Sequence, residues 1–235
     1  MTVRFGAVTV DWLGLGTVRL EGQTGVVIYI DPAPEIYSVL DEYDARDGDL
    51  ILVSHASQYD PRSIDRVAHS DAIVAVHDSV DVRQLDWTDE RPEDLPYTVE
   101  RVGSDESYVL GPLDLFTTPA RTDTAETHGN ERATYATPSE DGCGFAVTID
   151  GVSAFYPGIT DALALHEEMD TDLFLPPIGG TVTMDRHDAA ALAEAIEPDL
   201  VLPVHYDTFE AIETDERAFV VDVATRGIPV VLDEQ

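Results

Sequence analysis

Ten short stretches of the chain are dense in Val, Ile, Leu and aromatic residues: 8–12, 26–30, 50–54, 73–77, 108–117, 145–149, 152–156, 173–175, 200–204 and 230–232. Their length and β-branched content predict strands. The first thirty residues read as consecutive strands, and later strands alternate with helical spacing. In 186–197, Ala189, Leu192, Ala193 and Ile196 fall at i, i+3, i+4 and i+7 and mark one buried stripe. Asp185 is placed to cap that helix, Asp188 adds charge to its first turn, and Pro198 stops it. A second helix is predicted over 214–226, with Asp215 and Glu216 early, Arg226 late and Gly227 as the stop. A third starts at Pro61, whose fixed φ suits a first helical turn, and runs through Ile64 and Val67. This order predicts an α/β fold, sheets with helices packed outside them, in a single domain over 1–235.

Two stretches break the pattern. Residues 86–97 (DWTDERPEDLPY) form a polar loop, and 121–142 is a longer polar segment carrying His128. A loop of that length is either functional or an exposed insertion.

Composition narrows the function. The 235 residues are 43% apolar, enough for one sizeable core. Acidic residues number 47 against 13 basic ones, every basic residue is arginine, and the net charge is −34. So negative a chain repels phosphate backbones and anionic lipids, which argues against nucleic-acid and membrane-surface partners. No apolar run approaches the roughly 18 residues of a membrane span. The opening MTVRFGAVTVDW lacks the basic-then-apolar layout of a secretory signal, so a cytoplasmic location is expected. The single Cys143, between Gly142 and Gly144, cannot form an internal disulfide and reads as a packing residue. The acidic, lysine-free composition predicts adaptation to a salt-rich cytoplasm, where a Debye length of about 3 Å makes the self-repulsion tolerable.

Candidate chemistry lies at strand ends. The strand 50–54 runs into His55, then a turn carrying Asp60. His205 directly follows the strand 200–204, and the strand 152–156 ends in Tyr156-Pro157-Gly158-Ile159-Thr160-Asp161. Open α/β sheets place chemistry at such edges. Histidine and carboxylate together suit Zn²⁺, although each residue by itself equally suits a capping or packing role. Asp161 and His77 (at the end of 73–77) are weaker candidates, and His69, His166 and His187 read as surface residues in or beside helical patterns.

Several stretches extend this into a resemblance. Asp11-Trp-Leu-Gly-Leu-Gly-Thr, Ile30-Asp31-Pro32, Val53-Ser-His-Ala-Ser-Gln-Tyr-Asp-Pro, Thr118-Pro119-Ala120, Leu175-Pro-Pro-Ile-Gly-Gly-Thr-Val-Thr-Met-Asp and Leu202-Pro-Val-His-Tyr recur in order along nearly the whole chain. The sequence resembles the metallo-β-lactamase fold family, in the branch of ascorbate-phosphate lactonases and haloarchaeal zinc-dependent hydrolases. The resemblance implies a four-layer αβ/βα sandwich with metals at the edge between two sheets.

The family's ligand motif, His-x-His-x-Asp-His, maps only in part. His55 matches its first histidine, Ser57 or Gln58 stands at the second, Asp60 matches the aspartate after a one-residue shift, and Pro61 takes the last place. No histidine stands at Arg121–Thr122, where the next ligand belongs; His128 is the nearest. The family's Gly-Asp-Thr reads Gly158-Ile159-Thr160, its early Gly-His reads Gly14-Leu15, and His205 matches the final ligand. A dinuclear centre of the usual kind is therefore not expected.

Three outcomes follow. One is a metal-free binding or scaffold protein, with a homo-oligomer surface possible. Another is a single Zn²⁺ or other divalent ion held by His55, Asp60 and His205, with Asp60 as the candidate catalytic carboxylate, acting on an ester or lactone. The last is a set rewired through His128, Asp161 or His77. Sparse arginines in a negative field favour a small neutral molecule as the ligand.

Overall fold

The computed structural model describes residues 2–122 and 142–232. Seven strands form the first sheet in sequential order: β1 (Thr2–Phe5), β2 (Val8–Gly14), β3 (Thr17–Gly22), β4 (Val27–Ile30), β5 (Gly48–Val53), β6 (Ala68–His77) and β7 (Thr98–Val102). Neighbours are antiparallel from β1 to β4 and parallel from β4 to β7. The second sheet contains β8 (Ser107–Leu110), β9 (Leu113–Ala120), β10 (Gly142–Ile149), β11 (Val152–Tyr156), β12 (Leu173–Phe174) and β13 (Leu200–Val201). Here β8 to β11 are antiparallel, and β11 to β13 run parallel.

The sheets face each other across one shared core. Ile28 and Ile30 of β4 and Leu50 and Leu52 of β5 pack in one cluster with Phe145, Val147 and Phe155 of the second sheet. Val27, Tyr29, Ile51 and Val53 point the other way, into a second cluster beneath α1 (Pro61–Val67), which contributes Ile64 and Val67. Burial on both faces explains why β4 and β5 read as continuous apolar runs. The helices α2 (Arg186–Ile196) and α3 (Glu216–Ala224) supply Ala189, Leu192, Ala193, Phe219 and Val223 to the first cluster, from beyond the second sheet. The outcome is the expected α/β sandwich: helix, sheet, sheet, helix. Among the described residues no helix is long and apolar enough to cross a membrane.

Several elements depart from the sequence reading. The single strand expected over 108–117 is a hairpin, broken where Gly111 takes φ +60 in the turn before Pro112. The strand expected over 200–204 is a ladder at Leu200 and Val201 followed by one isolated bridge from Val204 to Pro177, interrupted where Pro203 has no N–H to offer. Residues 230–232 contribute one isolated bridge, from Val230 to Val201. His166 is fully buried, not a surface residue: its Nε2 lies 3.0 Å from the Pro119 carbonyl and its ring packs edge-on to Phe155. Burial lowers its pKa. His69 and His187 are exposed, the former at the start of β6. Cys143 is buried in the core, as expected of a packing residue.

Candidate functional site

The loops at one edge of the sandwich are tied together around a buried carboxylate. Asp31 follows β4 directly, with φ +44 and no solvent exposure. Its Oδ1 accepts from Ser54 N at 2.7 Å, and its Oδ2 accepts from Ser54 Oγ at 2.5 Å and from Tyr156 OH at 2.9 Å. Ser54 follows β5 in the first sheet and Tyr156 ends β11 in the second, so Asp31 bonds the two sheets together. Thr17 Oγ1 donates to the Asp31 carbonyl and accepts from Ala33 N, holding the following loop. Burial pushes the Asp31 carboxyl up to about 6, although all three donors favour its charged form.

His55 sits next to Ser54 and caps the turn Ala56–Gln58: its Nδ1 accepts from Ser57 N at 3.1 Å and lies 2.8 Å from Ser57 Oγ. An Nδ1 that accepts places the proton of the neutral ring on Nε2. Gly142 lies against this histidine; a Cβ there would come within 3.2 Å of His55 Cδ2.

His205 belongs to the same edge. Its backbone has φ +56, and its N–H donates to the Leu15 carbonyl, itself in a residue with φ +49. That carbonyl also accepts from Trp12 Nε1 at 2.7 Å, and Trp12 stacks on Tyr206 at 4.4 Å. Gly16 follows, and a Cβ there would come within 2.8 Å of Tyr156 OH. His205 and Asp31 are thus linked through Leu15-Gly16-Thr17. His205 is buried, its Nδ1 has no hydrogen-bond partner among the described residues, and burial holds its pKa down at about 4, so the ring is neutral near pH 7.

Asp60 does something else. Its Oδ1 accepts from Arg62 N at 3.0 Å, capping α1 in front of Pro61. Its Oδ2 accepts from Glu35 N at 2.8 Å and Ser63 Oγ at 3.3 Å, tying the loop after β4 to the helix. Here the carboxylate expected as metal ligand and catalytic group serves as a helix cap and loop tie, accepting from two backbone N–H groups and one hydroxyl. Among the described residues no group of three or more His, Cys, Asp or Glu side chains could hold a metal ion. His55, Asp60 and His205 therefore do not form the expected three-donor set, and the described residues do not fit a catalytic zinc centre, which normally takes three protein ligands. Replacing Asp60 with alanine is expected to lower stability by about 1–2 kcal/mol through the lost cap, with metal content unchanged; thermal melts alongside metal analysis check this.

The remaining candidates are dispersed. His77 ends β6, with Nδ1 2.8 Å from Ser79 Oγ and Nε2 3.0 Å from Ser104 Oγ; Ser104 in turn donates to the Gly142 carbonyl. It braces the start of β10. Asp161 donates its N–H to the Arg121 carbonyl and does not begin a helix, since the next helical turn is Ala164–Glu168. Ile159 is half-buried beside it. His128 lies outside the described residues. The sequence reading missed Asp31, Ser54 and Tyr156 as a functional unit. Its one available signal was an aspartate directly following a fully apolar strand.

A two-sheet α/β sandwich with its polar edge at the strand ends defines a metallo-β-lactamase-type fold. Residues 9–205 match the Beta-lactamase superfamily domain, and the chain belongs to that family. A UPF0173 metal-dependent hydrolase of Methanoregula boonei is 29% identical over 88% of this chain and 86% of its own length. The corresponding protein of Sulfurisphaera tokodaii is 34% identical over 41% of this chain, and there the match spans only 44% of the relative. The metallo-β-lactamase fold protein YhfI of Bacillus subtilis superposes with a TM-score of 0.70 at 12% identity, covering 97% of this chain and 98% of that one.

Proposed function

We propose that this chain is a small-molecule-binding protein built on a hydrolase frame, taking a neutral ligand at the sheet edge that carries His55, Asp31 and His205 and holding no dinuclear metal centre. The relatives named metal-dependent hydrolases need a divalent ion. The observation that carries the reading here is the use of Asp60 as a helix cap, with no three-donor set among the described residues.

The edge has nevertheless kept a demanding geometry. Leu15, Asp31, His205 and Asp207 all have φ between +44 and +56. Such conformations cost on the order of 1 kcal/mol each outside glycine and cluster where function maintains them. A site drifting without a role would be free to relax them.

One observation favours a second reading, a single-metal hydrolase acting on an ester or lactone. The buried His205 offers a neutral Nδ1 with no partner among the described residues, which suits a metal ligand. Thermal shift separates the two. An ion at 100 times its dissociation constant stabilises by about 2.7 kcal/mol, worth about 5–10 °C in a domain of this size. Added Zn²⁺ or Mn²⁺ is expected to move the melting temperature by less than about 1 °C. A shift of the larger size, lost in His205→Ala, supports the hydrolase.

A further inference from the structure

Away from the sheet edge, an open cleft of about 550 Å³ lies against α1, on the outer side of the first sheet. Its walls come from α1, the loop after β4, the loop before β5 and the polar stretch 86–97. None of Asp31, His55 and His205 lines it.

The charge of this cleft departs from that of the whole chain. Three of the 13 arginines, Arg46, Arg62 and Arg66, line it together with four carboxylates. Such a near balance is unusual on a molecule of net charge −34, and it admits groups that the rest of the surface repels. Arg46 is held by Asp44 and Asp65, and Arg66 by Glu35 and the carbonyls of Asp41 and Tyr43. Arg62 is different. Its side chain is 77% exposed and gives only Nη1 to Glu35, at 2.8 Å, so its Nε and Nη2 bond to nothing among the described residues. The Glu90 carboxylate likewise has no partner among the described residues.

The walls that carry these groups are anchored. The Glu90 carbonyl accepts from Tyr59 OH at 3.0 Å, and the Tyr59 carbonyl accepts from Trp87 Nε1 at 2.9 Å. Tyr97 OH donates to Asp65 of α1 at 3.0 Å. An open guanidinium and an open carboxylate therefore line one cleft without pairing with each other, beside apolar lining from Leu95 and Tyr97. A molecule carrying both charges satisfies both. An anion alone leaves Glu90 unmatched, and a cation alone leaves Arg62 unmatched.

We propose that this cleft binds a free amino acid with an apolar side chain. The Arg62 guanidinium takes its carboxylate in fork geometry, Glu90 takes its ammonium group, and Leu95 and Tyr97 pack on its side chain. The ligand is neutral overall, so the net charge of the protein does not repel it. Nothing in this depends on what the sheet edge binds.

The test is a ligand-detected NMR titration of the full chain with three probes at one constant, high KCl concentration, so that screening is the same throughout. L-phenylalanine carries both charges, N-acetyl-L-phenylalanine only the negative one and L-phenylalaninamide only the positive one. Phenylalanine is expected to bind saturably, and each of the other two about tenfold more weakly, the loss for one charge-assisted hydrogen bond. Arg62→Gln is expected to weaken phenylalanine about tenfold and leave phenylalaninamide as it was. Glu90→Gln is expected to weaken phenylalanine by a similar factor and leave the N-acetyl compound as it was. Both side chains are exposed, so both variants should fold, which thermal melts check. No saturable binding of phenylalanine, equal affinity for the three probes, or variants that weaken all three alike would each overturn the site.

Discussion

Dilution from 3 M to 0.1 M KCl is expected to lower the melting temperature by about 10–20 °C, corresponding to a loss on the order of 5 kcal/mol. The cause is the net charge of −34, which 13 arginines cannot offset. Ten of the described arginines already lie within ion-pair distance of a carboxylate. Most of these pairs are solvent-exposed, where each contributes about 0–1 kcal/mol, and salt weakens that attraction too. The repulsion is larger because it sums over many carboxylates within one another's range when the Debye length is about 10 Å, and it largely vanishes at about 3 Å. Attraction and repulsion therefore respond to salt with opposite sign, and the repulsive term wins. Equal melting temperatures at the two salt concentrations would mean that the surface charge is not a salt adaptation.

The second large effect is concealed in the wild-type pH profile. Asp31 has a folded-state pKa of about 6, above the ordinary value of 3.8. The folded state thus holds that proton more tightly than the unfolded chain, and the stability it supplies at low pH is lost as pH rises from about 4 to 6. His205 has a folded-state pKa of about 4, below the ordinary 6.5. Here the unfolded chain binds the proton more tightly, so stability is gained as pH rises from about 4 to 6.5. Each effect amounts to about 3 kcal/mol in full, and over this window they oppose each other. Single variants should expose the two components. Relative to wild type, Asp31→Asn is expected to gain about 2 kcal/mol between pH 4.5 and 7.5, and His205→Gln to lose about as much. Denaturant melts at 3 M KCl across that range measure both. Profiles of the two variants that run parallel to wild type would show that neither buried group titrates as its surroundings dictate.

How far the sequence could be read follows from the range of the interactions involved. Helix α2 was legible because its stripe of Ala189, Leu192, Ala193 and Ile196, its Asp185 cap and its stop at Pro198 are all local. The strands β4 and β5 were legible as buried runs. The hairpin of β8 and β9 was not, because an apolar run on both sides of Gly111 hides a turn that depends on backbone conformation. At the site, His55 and His205 stood out as histidines at strand ends. Asp60 was read for its place in a ligand motif, while the Asp-Pro pair at a helix start already carried the signature of a cap. Asp31 escaped notice because its partner Tyr156 is 125 residues away, and only folding brings the two sheets together. His166 likewise looked like a surface residue until Pro119 and Phe155 closed around it.

The central claim is that this hydrolase frame no longer carries its pair of ions. Elemental analysis of protein purified without chelator, at high salt and with Zn²⁺ and Mn²⁺ in the growth medium, tests it most directly. Less than about 0.1 equivalent of any transition metal per chain is the expected result. About two equivalents, the stoichiometry of a two-metal site, falling away in His55→Ala and His205→Ala, would contradict it.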